Sequence, residues 1–137
     1  MTLLNPYLGF RTEARDALTF YAGVFGGQLD ISTFGEFHAS EDPAEADKVM
    51  HGQLTVPGGL VLMASDTPDA MDFTPGSAHS VSLSGGPEDK DELTRFWEGL
   101  SDGATVTMPL GVAPWGATFG MLVDKFGVSW LVNIAGE

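Results

Sequence analysis

No cysteine occurs anywhere in the 137 residues. That excludes disulfides, thiolate metal ligands and cysteine nucleophiles together. Basic residues are almost as scarce, with 6 Lys and Arg against 19 Asp and Glu and a formal net charge of −13. So few cations leave little from which to build the basic stripe that phosphate backbones and anionic membranes require, which excludes nucleic acid and membrane as partners. Long hydrophobic runs are missing too: no window approaches the ~18 apolar residues of a membrane span. The opening Met1-Thr2-Leu3-Leu4-Asn5-Pro6 has no basic region and meets Pro6 before an apolar run develops. It therefore does not read as a sorting signal, and the expectation is a soluble, cytoplasmic protein.

What is present amounts to one domain, residues 1–137, since domains commonly run ~100–150 residues. A chain of this size buries roughly 68–70% of its unfolded surface, enough for a core without staples. Its 18 glycines are dispersed along the chain, which marks many tight turns. The acidic excess has two readings: solubility, or attraction of cationic ligands.

Two stretches carry a helical period. Ala14, Ala17, Leu18, Tyr21 and Phe25 form one stripe over about Glu13 to Phe25, with Thr12 as the cap and Gly26-Gly27 as the stop. Leu93, Phe96, Trp97 and Leu100 form another over about Asp89 to Leu100. There Asp89 and Glu92 have capping-box spacing. Strands are expected at Leu3–Phe10, Gln28–Phe34, Lys48–Val56, Leu60–Ser65, His79–Ser84, Ala104–Pro109, Thr118–Asp124 and Val128–Ile134. The order is strand–helix–strand–strand–strand, twice, as module 1 (about 1–70) and module 2 (about 71–137). The acidic segment Phe37–Asp47 reads as a mobile loop able to cover a site.

Alternation within strands separates two faces. Leu4, Pro6, Leu8 and Phe10 share one side of the first strand; Asn5, Tyr7 and Gly9 share the other. In the third, Met50, Leu54 and Val56 oppose Val49, His51, Gln53 and Thr55; in the last, Trp130 and Val132 oppose Ser129, Leu131 and Asn133. Apolar sides carry the helices. The mixed sides, with Asn5, Tyr7, His51, Gln53 and Asn133, line a cavity suited to a small molecule.

Several motifs follow one another along the chain: Asn5-Pro6-Tyr7-Leu8-Gly9-Phe10, Ala17-Leu18-Thr19-Phe20-Tyr21, Val24-Phe25-Gly26-Gly27, Met50-His51-Gly52-Gln53-Leu54 and Leu62-Met63-Ala64-Ser65-Asp66. Met108-Pro109-Leu110, Pro114-Trp115-Gly116 and the closing Asp124-Lys125-Phe126-Gly127-Val128-Ser129-Trp130 come after them. Together they resemble PhnB-like proteins of the glyoxalase/bleomycin-resistance/dioxygenase (vicinal oxygen chelate) superfamily, with Lys125 where the family has proline. The resemblance implies an α+β fold of two βαβββ modules, a curved mixed sheet forming a cup with helices on its outer face, and a homodimer. Metal-dependent members place His, Gln or Glu on four cup strands. Those positions fall here on Asn5, about Met63, about Ser80 and Leu131, none of them His, Glu or Asp, so no metal and no other cofactor is expected.

The candidate ligand-binding set is therefore Asn5, Tyr7, His51, Gln53, Met63, Trp115 and Leu131. His51 is the candidate catalytic residue, since histidine changes charge near neutrality. Gln53 shares its face, either to orient a ligand or to pair with it. Trp115, held between Pro114 and Gly116, has the placement to stack on a ligand or on a dimer partner. His38 and His79 read as solvent-facing, and Asp66 as a cap for the amides that follow it. The first functional expectation is binding of a small, cationic molecule, such as a basic antibiotic, without the usual metal site. The alternative is a divalent-metal lyase, isomerase or dioxygenase with a degenerate site around His51, or a metal-free variant with His51 as general base. A methyltransferase is not expected, because no glycine motif of the kind that binds S-adenosylmethionine follows the first strand.

Overall fold

A computed structural model describes residues 3–37, 42–76 and 78–136. The chain divides into two units, Met1–Pro75 and Gly76–Glu137. The first contains β1 (Tyr7–Phe10), α1 (Ala14–Phe25), β2 (Gln28–Thr33), β3 (Val49–Val56) and β4 (Leu60–Asp66). The second contains β5 (Val81–Gly85), a 3-10 turn at Pro87–Asp89, α2 (Lys90–Leu100), β6 (Thr105–Val112), β7 (Thr118–Val123) and β8 (Ser129–Ile134). Each unit is a βαβββ module. Its four strands form one sheet, ordered β1-β4-β3-β2 in the first and β5-β8-β7-β6 in the second. In each, the first strand pairs parallel with the last and the other pairs are antiparallel. The fold is α+β, as the family resemblance implied.

Both helices bury most of the expected stripe, Ala14, Ala17, Leu18 and Tyr21 on α1 and Leu93, Phe96, Trp97 and Leu100 on α2, while Phe25 at the end of α1 is only half-buried. A buried leucine of this kind contributes about 1.5–3 kcal/mol relative to an exposed one. Close approach of helix to sheet depends on a glycine in the corresponding strand of each module. A methyl group added at Gly52 on β3 would collide with the Leu18 side chain. One added at Gly120 on β7 would lie 2.8 Å from the Trp97 ring and 3.0 Å from the Leu110 backbone.

Several local expectations are corrected. β1 starts at Tyr7, not Leu3; Leu4 is fully exposed and Leu3 largely so. Pro6 has no N–H to extend the ladder, although its carbonyl still accepts from Met63 N–H at 3.1 Å. In β3 the pairing moves from Ser32↔His51 to Thr33↔Val49, skipping Met50. This bulge returns Val49 to the buried side with Gly52, Leu54 and Val56, so Val49 does not share a face with His51. β6 runs through Pro109 to Val112 because it is an edge strand, and its register shifts around the proline.

The caps also differ. Thr12 does not cap α1; Glu13 is in the N-cap position without a capping side chain, and Ala14 N–H donates to Asp66 Oδ1 at 2.9 Å. The other oxygen, Oδ2, accepts from Val49 N–H at 2.9 Å. Asp66 thus ties the starts of α1 and β3 to the end of β4, rather than capping the amides after itself. Asp89 Oδ2 reaches back to Gly86 N–H at 3.1 Å, in place of a pairing with Glu92. Asp124 explains the closing motif: Oδ1 accepts from Phe126 N–H and Val128 N–H, and Oδ2 from Trp130 Nε1–H at 2.8 Å. Gly127 (φ 86°) supplies the left-handed residue of that turn.

Candidate functional site

Strand register assembles one row of side chains across the whole first sheet. Asp30 on β2 is opposite Gln53 on β3, Gln53 is opposite Met63 on β4, and Met63 is opposite Tyr7 on β1. One step along, Ser32 is opposite His51 and Gly9 is opposite Ser65. The alternate residues Gly52, Leu54, Leu62 and Ala64 are buried, so this row lies on the face that α1 leaves open. His51, Gln53 and Met63 are half-buried there, and Tyr7 is exposed.

The closest polar contact on this face joins Tyr7 Oη and His51 Nδ1, 3.0 Å apart, with ring centroids 5.6 Å apart. Gln53 does not pair with His51; its Nε2–H donates to Thr55 Oγ1 at 3.2 Å. Asp30 is exposed and meets Gln28 Nε2–H at 3.5 Å. The face carries a carboxylate, amides, hydroxyls, a thioether and one imidazole. Among the described residues, no lysine or arginine occupies the row or the paired positions one step along it.

The second sheet has an equivalent row: Ser82 on β5, Leu131 on β8, Met121 on β7 and Met108 on β6. Beside it run Ser84, Asn133, Phe119 and Gly111. Trp115 is in the turn before β7, closed by Gly116 N–H donating to the Ala113 carbonyl at 2.9 Å. Trp115 is 65% exposed, and its ring is edge-on to Phe119, centroids 5.5 Å apart.

The sequence-predicted set is therefore divided. Tyr7, His51, Gln53 and Met63 come together on the first sheet, whereas Leu131 and Trp115 belong to the second. Asn5 is half-buried in the segment ahead of β1, outside the strand, and Ser80 likewise precedes β5. His79 is exposed; His38 lies outside the described residues. Asp30 and Ser32 were missed, although polar residues at every second position of Gln28-Leu29-Asp30-Ile31-Ser32 carried the signal.

The described part of the acidic segment is tied down. Glu45 is buried; its Oε2 pairs with Lys48 Nζ at 2.9 Å, and its Oε1 accepts from Asp69 N–H at 3.3 Å. Lys48 Nζ also meets Asp69 Oδ1 at 3.1 Å. The hydrogen bond to Glu45 chiefly raises the Lys48 pKa, and the bond from Lys48 lowers that of Asp69. Arg11 Nη1–H donates to the carbonyls of Pro68 and Met71 at 2.9 and 3.1 Å, holding the loop after β4.

The fold invites a test for a divalent ion. Among the described residues, those that register and contact set beside His51 are the Tyr7 phenol, Ser32 and the Gln53 amide, without the second imidazole or carboxylate that such an ion takes. Among the described residues, no group of three or more His, Asp or Glu is arranged to hold a metal. The donor set around His51 does not fit one. Among the same residues, no helix is long and apolar enough to cross a membrane.

These paired βαβββ modules match the fold of the glyoxalase/bleomycin resistance/dioxygenase superfamily. A family enzyme from Burkholderia phytofirmans superposes with a TM-score of 0.61 at 14% identity, over 94% of this chain and 96% of that one. Residues 3–133 match the family model described as 3-demethylubiquinone-9 3-methyltransferase, and the chain belongs to this PhnB-like family. Protein PA1353 from Pseudomonas aeruginosa is 37% identical over all of both chains, with a TM-score of 0.81. A putative 3-demethylubiquinone-9 3-methyltransferase, PhnB protein, from Bacillus cereus is 28% identical over 98% of this chain and 100% of that one, with a TM-score of 0.75. Protein YjdN of Escherichia coli K12 is 28% identical over 142 residues, 96% of this chain and 94% of the relative.

Proposed function

We propose that the protein binds a small cationic molecule on the open face of the first sheet, without a metal site of the kind common in its superfamily. The row Asp30–Gln53–Met63–Tyr7 carries this reading, because it combines an exposed carboxylate and hydrogen-bonding groups with no competing lysine or arginine. The net charge of −13 adds a field that concentrates cations near the chain, strongly at low ionic strength and weakly at high. Calorimetric titration with a panel of basic antibiotics tests it. Binding heat at low salt that fades at high salt is expected; no heat with any of them at low salt overturns the reading.

The same reading takes a homodimer as the working unit. The edge strand β6 supports this, with Val106, Met108 and Val112 exposed. Light scattering is expected to give twice 14.5 kDa, and a mass of 14.5 kDa at all concentrations sinks it.

A further inference from the structure

Building on the cation reading above, we infer that Tyr7, rather than His51, is the group that meets the ligand. His51 holds Tyr7 as a hydrogen-bond acceptor, which selects ligands carrying N–H donors: primary and secondary ammonium groups over quaternary ones. With Tyr7 Oη and His51 Nδ1 3.0 Å apart, one proton lies between them. When the imidazole is neutral, either the phenol donates to Nδ1 or Nδ1–H donates to the phenolic oxygen.

Acidity decides between these arrangements. A phenol, with a pKa of ~10 as a free side chain, is a far stronger acid than the N–H of a neutral imidazole. Its oxygen is also the poorer acceptor, because one lone pair is delocalised into the ring, whereas an unprotonated imidazole nitrogen is a good one. The favoured pair is therefore Tyr7 Oη–H donating to His51 Nδ1, with the imidazole proton on Nε2. That turns the only proton of the phenol toward His51, so Oη offers lone pairs alone to a molecule on the open face.

Accessibility points the same way. Tyr7 is 51% exposed on β1, while His51 is half-buried on β3. Tyr7 is at one end of the row, beside the uncharged Met63; Asp30 is at the other end, three strand spacings or ~14 Å away, so its negative potential favours a cation over a neutral donor only at low ionic strength. A quaternary ammonium has no N–H for Oη. Its attraction to Tyr7 is confined to the ring face, which a phenylalanine supplies equally.

Two measurements test this separately. The first is the nitrogen NMR spectrum of His51 at about pH 8.5, roughly two units above the free histidine value of ~6.5. With 3 histidines in the chain, His51→Gln assigns the signals. Nδ1 is expected unprotonated and Nε2 protonated, with the bias released in Tyr7→Phe. A protonated Nδ1 in the wild type overturns the inference and leaves the cation reading standing.

The second measurement titrates benzylamine and benzyltrimethylammonium into the wild type and into Tyr7→Phe. Benzylamine is expected to bind more tightly to the wild type and to weaken about five- to tenfold in the variant, the loss of one hydrogen bond to a charged donor. The quaternary amine is expected to change less than about twofold, since its ring contact survives. If Tyr7→Phe weakens both amines alike, or neither, the inference fails. Failure of both amines to bind overturns the inferred ligand class; with no heat from the basic antibiotics at low salt as well, the cation reading falls too.

Discussion

Asp30, Gln53, Met63 and Tyr7 cross the open face of the first sheet; Ser82, Leu131, Met121 and Met108 cross that of the second. The two modules share chain path, strand order and a glycine beneath each helix, but their open faces differ in chemistry. The first carries a carboxylate, an amide and the Tyr7–His51 pair. The second carries Ser82, Ser84 and Asn133 but no charged group, and is otherwise thioether, aliphatic and aromatic, with Trp115 and Phe119 beside the row. One backbone therefore serves both a charged, more polar surface and a more apolar one, because a strand's alternate positions vary without disturbing its buried set.

Their buried carboxylates differ as well. Asp66 spans long range, joining α1, β3 and β4, whereas Asp124 acts within six residues of itself. Replacing either by alanine gives the largest expected effect, about 3 kcal/mol or more, since each leaves buried donors unpaired. Urea unfolding measures the loss, and hydrogen exchange separates the cases. Asp66→Ala should raise exchange at the starts of both α1 and β3, and Asp124→Ala only around the β7–β8 turn. Identical exchange patterns would erase the distinction.

The glycines come next. Gly120→Ala meets the Leu110 backbone and the Trp97 ring, so about 1–3 kcal/mol of overpacking strain is expected. Gly52→Ala meets the tip of Leu18, which can rotate, and should lose less stability in the same melts. The reverse order would show that the helix–sheet contact in module 1 is the stiffer. Tyr7→Phe, on an exposed residue, is expected to stay within about 0.5 kcal/mol of wild type by urea unfolding.

Smallest is the effect of the Glu45–Lys48–Asp69 cluster. The lowered Asp69 pKa means its contribution is present above the unfolded value, near 3.8, and lost as pH falls through the folded value. The raised Lys48 pKa means its contribution is full below 10.5 and lost as pH rises through the folded value. Asp69→Asn should remove the acid limb and keep the alkaline one, which Glu45 still sustains, in melting curves across pH. Because Asp69 is exposed, salt should shrink the effect. An unchanged acid limb would assign it to other carboxylates.

Much of the fold was legible in the sequence. Eight strands and two helices announced themselves through period and turn residues, with ends displaced by a few positions. The displaced ends have local causes: Pro6 stops the β1 ladder, and Pro109 is tolerated inside β6 because β6 is an edge. The face of Val49 was not legible, since a bulge reverses alternation without leaving a mark in composition. For the candidate site, alternation picked out Tyr7, His51 and Gln53, and the family resemblance added Met63. Alternation offered no means of telling that His51 meets Tyr7 rather than Gln53.

The sequence by itself excluded cysteine chemistry, marked the two helices and eight strands of the described residues, and showed which side of most strands is apolar. These are properties of short windows, where side-chain type and a period of two or 3.6 suffice. Tertiary structure alone decided which residues 44 positions apart come within hydrogen-bond distance, as Tyr7 and His51 do, and which loop carboxylate is buried, as Glu45 is. Both depend on the register of non-adjacent strands and on where a loop lands, which no local pattern encodes.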